Sequence, residues 1–279
     1  MTYKTISTFL HDVNAPEAAL EMAISAAREW DAHLHVICGG IDFTDPGYYN
    51  VGASLPNLQI NLENAQTEAK ALKKRAIERL AREEIAYDIQ TVTIVQHGLD
   101  EFLTNQLRFS DLVFLQRPYN ESKNHTDVKI FEACLFSAKR PVMVVPPNWT
   151  GSARFNNAMI AWDDGAQALL ACRAAIPILQ TVPRTEICII DPPKHGEGRS
   201  DPGGRLAQYL AHFNVRPDIN VMALTQPKVA NQLGQRTQEQ GTELLVMGAY
   251  GHSRLRQAII GGVTRHFLET AEMPVLMAH

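Results

Sequence analysis

Short runs of consecutive apolar residues alternate along the chain with longer stretches in which apolar positions recur every three or four residues. The short runs have the length of strands buried on both faces, and the longer stretches have the period of amphipathic helices. In the first half this pattern predicts strands near 3–9, 32–38, 87–95, 111–115 and 141–145, with helices near 15–30, 57–84, 98–108 and 127–138. In the second half it predicts strands near 157–162, 186–191, 217–224, 243–247 and 274–278, with helices near 166–180, 203–213, 227–240 and 263–271. In the longest helix Leu58, Leu62, Ala65, Ala69, Leu72, Ala76 and Leu80 keep one face, and Lys, Arg and Glu occupy the other.

The two halves repeat one another. Asp111-Leu-Val-Phe-Leu115 answers Glu243-Leu-Leu-Val-Met247, and Lys139-Arg-Pro-Val-Met-Val-Val145 answers Glu272-Met-Pro-Val-Leu-Met277. Strand–helix alternation in each half gives a parallel sheet covered by helices on both faces. The fold class is therefore α/β: two tandem, doubly wound, mainly parallel five-stranded sheets of Rossmann-like form. Adjacent prolines followed by small polar residues in Pro146-Pro-Asn-Trp-Thr-Gly-Ser-Ala153 read as a linker. The expected division is a first domain over 1–147, a linker over 148–156 and a second domain over 157–279.

Composition narrows the functional classes. With 279 residues, 45% of them hydrophobic, the chain can bury one large core or two ordinary ones. A formal net charge of -4 provides no global positive field, so nucleic acid is not an expected partner. No run approaches the roughly 20 apolar residues that span a bilayer, and the N-terminal stretch is too short in apolar character for a secretory signal. A soluble, cytoplasmic protein is expected, in which the Asn120 and Asn148 sequons carry no glycan. Cys38, Cys134, Cys172 and Cys188 lie far apart and on apolar elements, so they read as core residues; no disulfide or metal site is predicted. His33 and His35 share one face of a strand without a third ligand nearby, and a structural role is expected for them. The 42–55 segment, with Pro46, Gly47, Tyr48 and Tyr49, reads as a surface loop or a cover for a partner.

Candidate chemistry concentrates near the C-terminus. Gly248-Ala-Tyr-Gly251, nine residues, then Gly261-Gly262-Val263-Thr264 follows the apolar strand Leu244-Leu-Val-Met247 and precedes a short helix. Helix N-termini present unpaired N–H groups and partial positive charge, and glycines let backbone approach an anion there. His252, Arg254 and Arg256 lie within the intervening span, as phosphate partners or as solvated loop cations. Asp163 and Asp164 close the strand that opens the second half. A carboxylate at such a strand end can accept ribose hydroxyls, and a pair can accompany Mg2+ or cap a turn, the reading preferred for Asp164.

This arrangement resembles the universal stress protein family, and the chain looks like a tandem member. The family's loop after the fourth strand reads Gly-x2-Gly-x9-Gly-(Ser/Thr); Gly248, Gly251 and Gly261 match it, and Gly262 stands in place of the Ser/Thr. Ile160-Ala161-Trp162-Asp163 resembles the family's first strand, which ends in an Asp beside adenosine, and Glu186-Ile-Cys-Ile-Ile190 resembles the second, whose end packs against adenine. The resemblance implies a fold related to the adenine nucleotide alpha hydrolases. It also implies an ATP site, with or without Mg2+, that includes Tyr250, Val263 and Thr264 beside the residues already named. The first half reads Gln116-Arg-Pro-Tyr119 and then Asn-Glu-Ser-Lys-Asn-His-Thr-Asp127 at the equivalent place, without a glycine, and is expected to have lost the nucleotide site.

Three functional readings follow. The leading one is an ATP-binding stress or regulatory protein with one competent site in the second domain, turning nucleotide over slowly or not at all. A second is an interaction scaffold that binds no nucleotide. The third is a nucleotide hydrolase or adenylyl-transfer enzyme, for which Ala161-Trp-Asp-Asp-Gly-Ala166 lacks the usual Ser-Gly-Gly-x-Asp-Ser type of loop. In single-domain relatives the fifth strands pair across a dimer axis, so Val142–Val145 and Val275–Ala278 are expected to pair within this chain as an intramolecular pseudo-dimer. A homodimer of the whole unit is open, and the protein partner is unspecified.

Overall fold

The computed structural model describes residues 2–44, 55–119, 125–192, 201–250 and 262–279. Its first half contains β1 (Thr5–Leu10), α1 (Ala18–Trp30), β2 (His33–Asp42), α2 (Leu55–Leu80), β3 (Tyr87–Val95), α3 (Leu99–Leu107), β4 (Leu112–Gln116), α4 (His125–Glu132) and β5 (Val142–Val145). The second half repeats the order with β6 (Asn157–Ala161), α5 (Ala166–Leu179), β7 (Arg184–Ile190), α6 (Gly204–Ala211), β8 (Asp218–Met222), α7 (Val229–Glu239), β9 (Leu244–Gly248), α8 (Gly262–Thr270) and β10 (Val275–Ala278).

All ten strands join one sheet in the order β3-β2-β1-β4-β5-β10-β9-β6-β7-β8. The strands within each half pair in parallel. Where the halves meet, β5 and β10 run antiparallel, with Val144 opposite Val275, Met143 opposite Leu276 and Val142 opposite Met277. That pairing gives both terminal strands a partner and leaves the outer edges to β3 and β8. The two expected sheets are thus one continuous sheet with an antiparallel seam.

Apolar side chains form a layer on each face, and both layers cross the seam. On one face α1, α2, α5 and α6 contribute Ile24, Leu72, Ile178 and Leu206 to a cluster that also holds Met143 and Leu276. On the other, α3, α4, α7 and α8 contribute Leu103, Phe131, Leu233 and Phe267 to a cluster with Val144 and Val275. The inner strands are buried on both sides, which is why they read as unbroken apolar runs. Cys38, Cys172 and Cys188 lie within these layers, where burial pushes their thiols up to about 12; Cys134 is raised in the same direction. None of the four is a thiolate at neutral pH.

Two local departures from the sequence pattern have physical causes. Strand β2 runs four residues beyond its expected end, through Gly39 and Gly40, because Gly39 to Asp42 pair with Val92 to Val95. A Cβ at Gly40 would lie 1.8 Å from Ala65 O, so the glycine lets α2 lie directly on β2. Along α2, Ala65, Ala69, Leu72, Ala76 and Leu80 are buried as expected, whereas Leu62 is 42% exposed. The expected 127–138 helix divides into α4 and a π-helical turn, Ala133–Ser137.

The segment between the halves is irregular but docked. Ala153 and Phe155 are buried, Ala153 N donates to Ser25 Oγ at 3.0 Å, and Arg154 pairs with Glu29 at 2.6 Å. His33 Nε2 and His35 Nδ1 lie 2.7 and 2.6 Å from the two oxygens of Asp88 on β3. Burial works against the Asp88 carboxylate, but the two histidines outweigh it and hold its pKa below the ordinary value.

Candidate functional site

In an open α/β sheet the natural crevice lies beyond the carboxyl ends of the strands, where connections leave in opposite directions. In the second half that point falls between β6 and β9, which pair in parallel with Ala161 opposite Met247. The structure brings the ends of β6, β7 and β9 and the start of α8 to this side. Ala161, Ile190, Tyr250 and Val263 are partly buried there and pack against a single apolar layer. Trp162 follows the strand's alternation and packs against the opposite layer, its N–H donating to Cys188 O at 2.9 Å.

The two acidic residues divide their work differently from the sequence reading. Asp163 Oδ1 accepts from Gly165 N at 2.9 Å and shapes the turn into α5, the role expected of its neighbour. Asp164 takes a left-handed conformation, φ 61°. The site's first glycine also has a local reason to exist. A Cβ at Gly248 would come within 2.5 Å of Ala168 N and 2.7 Å of Gln167 C, so the residue allows β9 to touch the first turn of α5.

Gly262, the first residue of α8, has no such neighbour: a Cβ there would meet nothing within 4 Å. It is exposed at the N-terminus of a nine-residue helix, whose first N–H groups have no partner within the helix. Two residues on, Thr264 is buried, and its Oγ1 accepts from Tyr250 N at 3.2 Å. That bond ties the end of β9 to α8 and fixes Tyr250 in its left-handed conformation, φ 61°. Gly251, Gly261, His252, Arg254 and Arg256 lie outside the described residues.

Tyr250 directs its ring toward the seam. It lies 4.9 Å from the Phe136 ring, and Phe136 in turn meets the His279 ring edge-on at 4.8 Å. His279 Nδ1 lies 2.9 Å from Ala249 O. The Tyr250 hydroxyl is buried without a hydrogen-bond partner among the described residues, and burial, with Glu132 and Tyr119 nearby, raises its pKa. Glu132 is itself raised by burial. Phe136, Glu132 and His279 were not among the sequence candidates. Only the three-dimensional seam brings residues so far apart in sequence to the glycine segment.

The architecture is that of a two-lobed α/β protein with a helix N-terminus and a glycine pair at the second switch point. Residues 228–279 match the family model described as "Universal stress protein family". Over its length the chain is similar in fold to a universal stress protein from Archaeoglobus fulgidus, with TM-score 0.73, 11% identity, and coverage of 98% of this chain and 95% of that one. A putative universal stress protein from Pseudomonas aeruginosa aligns with TM-score 0.61 and 15% identity over 99% of this chain and 93% of that one. No curated protein matches in sequence. The resemblance to universal stress proteins therefore holds in sequence over residues 228–279 and in fold over nearly the whole chain.

Proposed function

We propose that the chain binds one adenine nucleotide, ATP with or without Mg2+, at the carboxyl end of the second half, and acts as a stress-response or regulatory protein rather than as an enzyme. The observation that carries this reading is the opening of α8: Gly262 stands exposed at a helix N-terminus by the switch point of the sheet, with no described atom within 4 Å of where its Cβ would lie. The spacing of Gly248, Gly251 and Gly261 and the family match over residues 228–279 support it. Phosphates would lie against the backbone at Gly262, and the partly buried Ala161, Ile190 and Val263 would face the base. In this reading occupancy alters shape or partner binding, turnover is absent or very slow, and the protein works in the cytoplasm.

A scaffold without nucleotide is the second reading, and Gly248 favours it, because packing against α5 accounts for that glycine with no ligand. Titration calorimetry with ATP separates the two. Wild type is expected to bind and Gly251→Trp to lose binding at unchanged thermal stability; equal affinity in both proteins, or none in either, removes the nucleotide reading.

A further inference from the structure

The first half holds a cavity of about 510 Å³ at its own switch point, between the ends of β1 and β4 and beneath α1 and α2. The sequence led us to expect no nucleotide site in this half, because its 116–127 segment has no glycine. Leu72, Arg75 and Ala76 of α2 line the cavity beside Phe9, Leu10, Leu115 and Gln116 from the strand ends. Its body is apolar, with Phe9, Leu10, Leu20, Leu72 and Leu115 on the walls.

Seven polar or charged residues complete the lining: His11, Asp12, Asn14, Glu17, Arg75, Gln116 and Asp127. Gln116, at the end of β4, lines the cavity, and both its amide nitrogen and its amide oxygen are buried without a hydrogen-bond partner among the described residues. A buried amide with neither atom paired is costly in a native fold and calls for a partner that can both donate and accept. His11 Nε2 lies 2.9 Å from Asp127 Oδ1 across the mouth, each side chain 13% exposed. Asp12 also lines the cavity, and its Oδ1 accepts from Asn14 N at 2.8 Å.

The charged groups on the described lining are mostly acidic. Arg75 is committed to Glu17 and to the carbonyl of Val13, and Asp127 to His11. Asp12 is the lining carboxylate without a cationic partner among the described residues, and Glu68 lies close to it on α2. The Glu68 carboxyl is pushed up by burial and by Asp12, against the opposing pull of His11 and of the Val13 backbone. A triphosphate would meet carboxylates here, where the second half offers backbone N–H groups. Phe9 and His11 stack with centroids 5.9 Å apart, adding an aromatic wall of the kind that receives organic cations.

We propose that this cavity binds a small organic amine, with the ammonium held by Asp12 and the His11–Asp127 pair, the apolar body against Phe9, Leu20 and Leu72, and a polar group of the same molecule meeting Gln116. With ATP bound in the second half, the two halves would take ligands of opposite charge at equivalent positions. The amine site itself does not depend on that reading.

Ligand-observed NMR on the full chain with matched pairs tests it: tyramine against 4-hydroxyphenylacetate, and cyclohexylmethylamine against cyclohexanecarboxylate. The amine of each pair is expected to bind at least about tenfold more tightly than the acid. Asp12→Asn, which keeps an oxygen for Asn14 N, should weaken both amines about tenfold, as expected for loss of a charge-assisted contact. Gln116→Leu should weaken tyramine, whose hydroxyl can reach the amide, more than cyclohexylmethylamine. Equal binding of acids and amines, no amine binding at millimolar concentration, or amine affinity unchanged in a folded Asp12→Asn protein overturns the proposal. So does ATP binding that disappears in Gln116→Leu.

Discussion

A methyl group at Gly248 would sit 2.5 Å from Ala168 N, whereas at Gly262 it would meet no atom within 4 Å. Two glycines of one motif thus answer to different physics. Gly248→Ala is expected to cost about 1–3 kcal/mol, because backbone must move to admit the Cβ. Gly262→Ser should change stability by no more than about 0.5 kcal/mol. It supplies the hydroxyl that the resembling family carries there, so ATP affinity should rise by up to about tenfold, one neutral hydrogen bond's worth. Chemical denaturation and calorimetry on both variants check the contrast; a destabilised Gly262→Ser or an unaffected Gly248→Ala contradicts it. The motif's positions were legible in the sequence because chain order alone places them between strand and helix. Their separate reasons were not legible, since the contact between Gly248 and Gln167 bridges residues some 80 positions apart.

At the scale of elements, the joint between α4 and its π-helical turn connects the two halves. Helix α4 (His125–Glu132) lines the first-half cavity with Asp127 in its first turn, and the turn after it carries Phe136 onto Tyr250. The helix was visible in the apolar periodicity, and its widened last turn was not, because periodicity reports which face is buried and not how tightly the backbone winds. Burial raises the Glu132 pKa above its ordinary 4.5. A carboxyl raised on folding contributes stability that is complete below the unfolded value and is lost as pH rises through the folded value. Glu132→Gln keeps the neutral form at every pH. Its melting temperature is expected to match wild type near pH 4 and to exceed it at pH 8. Equal melting temperatures at pH 8 would place the carboxylate in contact with a compensating charge.

Across the whole molecule, the seam decides how the repeat behaves. The sequence placed ten strands and eight helices nearly correctly because each carries its own apolar pattern, and it anticipated β5 beside β10 through the family resemblance. It could not reveal that the apolar layers run unbroken across that pairing, with Met143 and Leu276 in one layer and Val144 and Val275 in the other. Nor could it reveal the first-half cavity, whose lining comes from residues as far apart in sequence as Phe9, Leu72 and Asp127. A core shared by both halves makes their unfolding cooperative, because neither lobe can lose its inner strand without exposing the other's. Leu276 is fully buried on β10, so Leu276→Asp places an unpaired charge in the shared layer and should cost at least about 3 kcal/mol. Amide hydrogen exchange followed through β1 and β6 should show protection falling together in this variant, although the substitution lies only in the second half. If β1 kept its wild-type protection while β6 lost its own, the lobes would be energetically separate and the seam a contact between two finished domains.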